Sequence, residues 1–273
     1  MQWSLVGSEM CIRDSIKIIE EAEKSGALKS GGTIVECTAG NTGLGLALAA
    51  KLKGYDLILV IPDKMSQEKV MHLEAMGVEI VFTRSDVEKG HPEHYQEMAA
   101  AIVKKTPGSF FADQFSNPAN PLVHETTTGP EIWKQTNGKI THFVVGVGTG
   151  GTISGIAKFL KEKKPNIKIW GVDTYGSVFK KFHETGKFDE SEIYPYVTEG
   201  IGEDIIPANV NFNLIDHFEK VSDKDGALYT RRLAKEEGIF AGYSAGSAIA
   251  AINQLKEKLN SSDVVVVLLH DHG

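Results

Sequence analysis

With only two cysteines in 273 residues, Cys11 and Cys37, the chain is not a disulfide-stapled scaffold, and a reducing cytoplasm is the expected compartment. It has no apolar run near the roughly 20 residues needed to span a bilayer. The run Val264 to Leu269 is six residues, the length of a buried strand. Neither Cys-x-x-Cys nor His-Glu-x-x-His occurs, so the nine histidines are read as surface and loop residues and no metal site is expected. Basic residues are in deficit, 29 against 36 acidic for a net charge of −7, which argues against nucleic acid or an anionic membrane as partner. Repeats and low-complexity tracts are missing too. Residues 1–15 lack the basic start and long apolar core of a signal peptide and follow no clear period. They are expected to be a non-native segment joined near Ser15, and the abrupt stop at His270-Asp271-His272-Gly273 is read as truncation of a longer protein.

What is there is an ordinary globular composition, 41% hydrophobic and 24% charged, on a length that supports one large or two medium domains. Helices are predicted over 16–24, 42–52, 66–76, 93–105, 125–136, 223–237 and 244–259, and a further helix ends at Lys163. Strands are predicted over 33–37, 57–61, 78–82, 167–172, 214–221 and 264–269, with another beginning at Thr141. Apolar strands alternating with helices imply an α/β protein with mostly parallel open sheets covered on both faces. The polar stretch Asp113 to Pro121 is the predicted boundary between a smaller domain over 16–117 and a larger one over 118–273. Residues 174–213 hold little periodicity, and so long an irregular stretch is expected to line a site.

The most informative stretch runs from Thr141 to Thr152, where an apolar strand enters Gly146-Val147-Gly148-Thr149-Gly150-Gly151-Thr152 and a helical pattern follows. That order sets bare backbone N–H groups and a positive helix end at one point, which suits a phosphate. A second corner, Thr38-Ala39-Gly40-Asn41-Thr42-Gly43, has the same strand-to-helix context, with amides and hydroxyls suited to a carboxylate and Asn41 either a polar tip or a turn residue. Two such corners suggest one ligand gripped from two sides. A third, Gly242-Tyr243-Ser244-Ala245-Gly246-Ser247, opens a helix, with Ser244 either an N-cap or a ligand group.

Other readings use the same residues. Gly146, Gly148 and Gly151 fit G-x-G-x-x-G, and Asp173 ends the next strand 22 residues later, the formal dinucleotide fingerprint. That pattern alone does not separate a nicotinamide cofactor from a phosphorylated ring, and Thr149 and Thr152 add hydroxyls a pyrophosphate turn does not need. Gly242 to Gly246 also fits G-x-S-x-G, but only His270 and His272 follow the serine, so a serine hydrolase is disfavoured.

Taken in order, the three corners together with Asp113-Gln114-Phe115-Ser116-Asn117-Pro118, Thr127-Thr128-Gly129-Pro130-Glu131-Ile132 and Glu199-Gly200-Ile201-Gly202 resemble the cysteine synthase and cystathionine β-synthase family of pyridoxal-phosphate enzymes, from about Arg13 to Gly273. The resemblance implies fold type II, the tryptophan synthase β-like arrangement of two three-layer open sheets, with pyridoxal 5'-phosphate as cofactor. It implies that Gly148, Thr149, Gly150, Gly151 and Thr152 hold the cofactor phosphate, Asn41 its ring hydroxyl oxygen and Ser244 its ring nitrogen. Thr38, Ala39, Thr42 and Gln114 would take the amino-acid carboxylate, and Glu199 and Gly200 would lie over the site. The implied reaction is β-replacement on serine or an activated serine by a thiol, with small-molecule amino acid and thiol substrates and a homodimer. The departure is at the start. Where the family carries a Schiff-base lysine in a Lys-Asp-Arg context, this chain has Cys11 and Ile12 before Arg13, so no catalytic residue is assigned. An inactive cofactor-binding protein on the same fold therefore stands as an alternative, beside an NAD-dependent oxidoreductase. Glu199 to Pro207 looks more like the cystathionine β-synthases, and Thr127 to Glu131 more like the cysteine synthases using O-acetylserine and sulfide. Ala39 replaces a common serine, and Glu203 stands where animal-type cystathionine β-synthases usually have tyrosine.

Overall fold

In a computed structural model, which describes residues 9–38, 40–63, 65–87 and 90–270, the chain divides into two compact units at Ala119 and Asn120. Ala39, His272 and residues 1–8 lie outside the described residues.

The first unit is built on β-branched and leucine-rich runs that form β1 (Thr33–Cys37), β2 (Asp56–Pro62) and β3 (Glu79–Thr83), with a three-residue β4 (Ser109–Phe111). Their order in the sheet is β3-β2-β1-β4, all parallel, with Val35 opposite both Ile58 and Phe111. Alternation decides which face each residue covers. Ile34, Leu57, Leu59 and Ile61 pack with α1 (Glu9–Ser25), α2 (Asn41–Lys53) and α3 (Gln67–Ala75), while α4 (Tyr95–Lys105) packs on β1 and β2. The helix predicted from Ile16 starts earlier, at Glu9, and its added turns also lie on α2, with the Cys11 carbonyl against Gly45. β4 was not predicted, being too short to show a period.

The second unit repeats the plan. β5 (His142–Gly146), β6 (Lys168–Thr174), β7 (His217–Val221) and β8 (Val265–Val267) lie in the order β7-β6-β5-β8, again all parallel. Phe143, Val145, Ile169 and Phe218 face α7 (Gly151–Lys163) and α8 (Phe179–Thr185), whereas Val144, Trp170, Val172 and Val221 share the opposite core with α10 (Tyr243–Gln254). α9 (Asp223–Glu237) packs against α10. Two helix-bearing faces on each parallel sheet give the expected α/β architecture. The single helix predicted over 125–136 is instead α5 (Ala119–Val123), a π-helical turn (His124–Thr128) and α6 (Gly129–Gln135). In that turn the Gly129 N–H reaches back to the His124 carbonyl, and the Thr126 and Thr127 hydroxyls donate to the Leu122 and Val123 carbonyls at 2.8 and 2.6 Å. Two successive threonines thus supply partners where the regular ladder is interrupted. The helix predicted over 244–259 ends at Gln254, followed by a 3-10 turn over 256–258, and α8 lies within the stretch read as irregular. No described helix is long and apolar enough to cross a membrane.

Candidate functional site

Asn41, Thr38, Thr42 and Gln114 belong to the first unit, and the glycine corner, Glu199, Gly200 and Ser244 to the second. At the tip of β1, Thr38 is buried, its N–H donates to the Val60 carbonyl at 3.1 Å and its hydroxyl accepts the Gly40 N–H at 3.0 Å. Asn41 is the first residue of α2, whose N-cap, Gly40, offers no side chain to the helix's leading amides. The Thr42 hydroxyl donates to Gln114 Oε1 at 2.7 Å, and Gln114 Nε2 donates to the Cys37 carbonyl at 3.3 Å. Two residues 72 apart in sequence are thereby held together.

Beneath them sits an acid that sequence reasoning did not single out. Glu36 is fully buried, and its two carboxyl oxygens accept the Cys37 N–H at 2.8 Å and the Gln114 N–H at 3.1 Å. Burial pushes the carboxyl up to about 8 and the nearby Asp113 adds to this, although both N–H donors pull the other way. The Cys37 thiol is driven well above its ordinary value by burial and then by Glu36. The signal was in the sequence: a glutamate within an otherwise apolar buried strand needs partners.

In the second unit the glycine corner is shaped by close approach. Gly150 has φ +83°, and a β-carbon there would run into Val210; one on Gly151 would overlap the Asn120 side chain. Gly150 is the N-cap of α7 and gives no side chain to it, so the leading N–H groups of Gly151, Thr152 and Ile153 precede the first intrahelical bond, from Ser154 N–H to the Gly150 carbonyl at 3.0 Å. Asn120 Nδ2 donates to the Thr149 hydroxyl at 3.1 Å, and His124 Nε2 lies 3.3 Å from the Thr152 hydroxyl. Asn120 and His124 were missed, although Asn120, His124 and Thr128 follow the i, i+4 spacing of one helix face.

The segment carrying Glu199 and Gly200 lies beside this corner. The Gly202 N–H donates to the Val147 carbonyl at 2.8 Å, and a β-carbon on Gly148 would stand 3.0 Å from the Gly200 carbonyl. Its base is fixed by Asp223, which accepts the Thr198 hydroxyl at 2.6 Å and the Val197 N–H at 2.9 Å.

Ser244 sits in the first turn of α10, is 1% exposed, and its Oγ has no hydrogen-bond partner among the described residues. A buried hydroxyl without a partner costs free energy, so the site has the character of one awaiting a ligand. Ser244 does not cap its helix, and among the described residues no histidine sits on it as a hydrolase nucleophile requires. Asp173, the acid of the formal dinucleotide pattern, is fully buried and accepts the Thr174 and Lys180 N–H groups at 2.9 and 3.0 Å. It is spent on its own backbone rather than presented to a ribose, which disfavours the nicotinamide reading.

Cys11 lies in α1 with its carbonyl over Gly45 of α2 and accepting the Ser15 hydroxyl at 2.6 Å. Lys17, the first lysine, pairs with Glu21 at 2.8 Å one helical turn on. Neither supplies an amine at position 11.

A parallel α/β chain with a close-packed glycine corner at a helix start, and a buried serine whose hydroxyl has no partner among the described residues, has the features of an enzyme fold that binds a small anionic ligand. Residues 11–271 match the family pattern of pyridoxal-phosphate dependent enzymes, and the chain belongs to that family, whose cofactor is pyridoxal phosphate. It is 43% identical over 265 residues to cystathionine beta-synthase of Oryctolagus cuniculus, covering 97% of this chain and 48% of that protein. It is 40% identical over 275 residues to cysteine synthase of Staphylococcus aureus, covering 100% of this chain and 84% of that protein. The chain thus spans about half the length of the curated relatives it matches first. Among solved structures it resembles a hydrogen sulfide-producing enzyme from Fusobacterium nucleatum, with TM-score 0.87, 36% identity, and coverage of 96% of this chain and 85% of that one. An O-ureido-L-serine synthase structure matches with TM-score 0.87, 31% identity, and coverage of 96% and 80%.

Proposed function

We propose that the protein binds pyridoxal 5'-phosphate for β-replacement on serine or an activated serine by a thiol, with homocysteine as thiol and cystathionine as product. The observation that carries this reading is Ser244, a buried hydroxyl lacking a partner among the described residues. It fits a pyridine nitrogen, which accepts one hydrogen bond and, facing a hydroxyl rather than a carboxylate, is not held as a full cation. The leading amides of α7 with Thr149 and Thr152 fit a phosphate, and Asn41 would bond the ring hydroxyl oxygen. Thr38, Ala39, Thr42 and Gln114 would orient the amino-acid carboxylate, and Glu199 and Gly200 would limit water and admit the second substrate. When bound, the cofactor supplies an electron sink for chemistry at the amino acid's β-carbon.

The residues described place no amine at position 11, where the family resemblance implies one; Cys11 cannot form the exchangeable linkage that a lysine amine forms or take over its proton shuttle. We assign this chain cofactor binding through the groups above and no covalent step, because position 11 is a cysteine. The second reading, O-acetylserine with sulfide, is supported by the 40% identity to the Staphylococcus aureus cysteine synthase. Assembly as a homodimer and a cytoplasmic location belong to the same proposal.

The test is a titration with pyridoxal 5'-phosphate followed by borohydride reduction and peptide mapping. The chain as it stands is expected to bind the cofactor without retaining it covalently at position 11. Cys11→Lys is expected to gain a visible absorbance band, covalent attachment at residue 11 after reduction, and a spectral change on adding serine. Absence of binding in both proteins would overturn the reading. Product analysis with homocysteine against sulfide then chooses the thiol.

A further inference from the structure

His124 is fully buried in the π-helical turn (His124–Thr128), with one ring nitrogen on each of two hydroxyls. Nδ1 lies 2.9 Å from the Thr128 Oγ1, and Nε2 lies 3.3 Å from the Thr152 Oγ1. Thr152 occupies the first turn of α7, next to Gly151, whose missing side chain makes room for Asn120. Asn120 in turn donates to Thr149 at 3.1 Å. Both threonines of the glycine corner are therefore held from behind by one segment. π-helical turns are rare and often mark functional sites.

We propose that His124 is a positioning residue that donates from Nε2–H to Thr152 and so leaves the Thr152 hydroxyl proton directed at a bound phosphate. The chemistry follows from the donor count. A hydroxyl has one proton to give. If the imidazole accepted it, Thr152 would face the phosphate with lone pairs only, a repulsive contact. With Nε2 protonated, the Thr152 oxygen accepts from the ring and its own proton is released toward the anion, as a charge-assisted bond. Nδ1 then accepts from the Thr128 hydroxyl. The direction of this hydroxyl–imidazole–hydroxyl chain is set by which ring nitrogen carries the proton.

This inference rests on the proposed phosphate site, and the experiment separates the two. Affinities for pyridoxal 5'-phosphate and for pyridoxal, which lacks the phosphate, are measured by calorimetry, and their ratio reports the phosphate contacts alone. Thr152→Val is expected to lower the ratio about tenfold, the size of one charge-assisted hydrogen bond. His124→Phe is expected to lower it equally, and the double variant no further. Gln reaches the Nε2 position and Asn only the Nδ1 position, so His124→Gln is expected to restore most of the ratio and His124→Asn none. A wild-type ratio near one, or an unaffected Thr152→Val, would defeat the phosphate site itself. A preserved ratio in folded His124→Phe and His124→Asn would defeat the role of His124 alone. Should those variants not fold, the wild-type tautomer decides: nitrogen NMR must show the proton on Nε2, and a neutral ring protonated at Nδ1 overturns the proposal.

Discussion

Replacing Glu36 by glutamine gives a pH-dependent change in stability whose sign is fixed by the structure. The folded carboxyl titrates at about 8 against an ordinary 4.5, so between those values the folded chain holds a proton that the unfolded chain has released. The stabilisation is complete below pH 4.5 and is lost as the pH rises through 8. At roughly 1.4 kcal/mol per pKa unit, wild type is expected to lose on the order of 3 kcal/mol from this group between pH 5 and pH 8. The Cys37 thiol, raised well above its ordinary value, does not titrate in that window. The glutamine amide cannot titrate, but its nitrogen would face one of the two N–H donors, Cys37 or Gln114, at a cost of about 1–3 kcal/mol. Glu36→Gln is therefore expected to be the less stable protein at pH 5 and to draw level with or overtake wild type near pH 8. Denaturant unfolding of the cofactor-free proteins at half-unit pH steps measures this, and their difference cancels every group they share. Parallel stability curves from pH 5 to pH 8 would refute the argument that Glu36 is neutral in the fold.

Two further outcomes follow from the second unit. Ser244→Ala removes a buried hydroxyl that has no partner among the described residues, so the cofactor-free protein should melt within about a degree of wild type, while affinity for pyridoxal 5'-phosphate falls about tenfold; a large loss of cofactor-free stability would show that the hydroxyl has a structural partner after all. Gly151→Ala forces a β-carbon into Asn120 and should destabilise by about 1–3 kcal/mol and abolish the preference for pyridoxal phosphate over pyridoxal, as seen by denaturant unfolding and calorimetry.

The alternation of helices and parallel strands could be read directly because each long apolar run is buried against a sheet or helix, as with Leu57, Leu59 and Ile61. The glycine corner was readable for a related reason: close approach, as of Val210 to Gly150, leaves glycine as the sterically tolerated residue. What escaped was local or tertiary. Ser109 to Phe111 is strand only because Val35 pairs with it, and the π-helical turn preserves helical periodicity closely enough to look like an ordinary helix. Glu36 and His124 are ordinary letters until burial gives each two partners.

The device at Glu36 recurs in the second unit. Asp173, near the end of β6, also accepts the N–H of the next residue and a second N–H from farther along the chain, and burial raises its carboxyl too. Each sheet thus has a buried carboxyl that clasps two backbone N–H groups at the end of a central strand, where the chain turns away from the sheet. Removing either carboxyl leaves two amides without their acceptor at the root of a connecting segment rather than within the strands, so Glu36→Ala and Asp173→Ala are expected to loosen those segments, read by amide hydrogen exchange, before strand content falls.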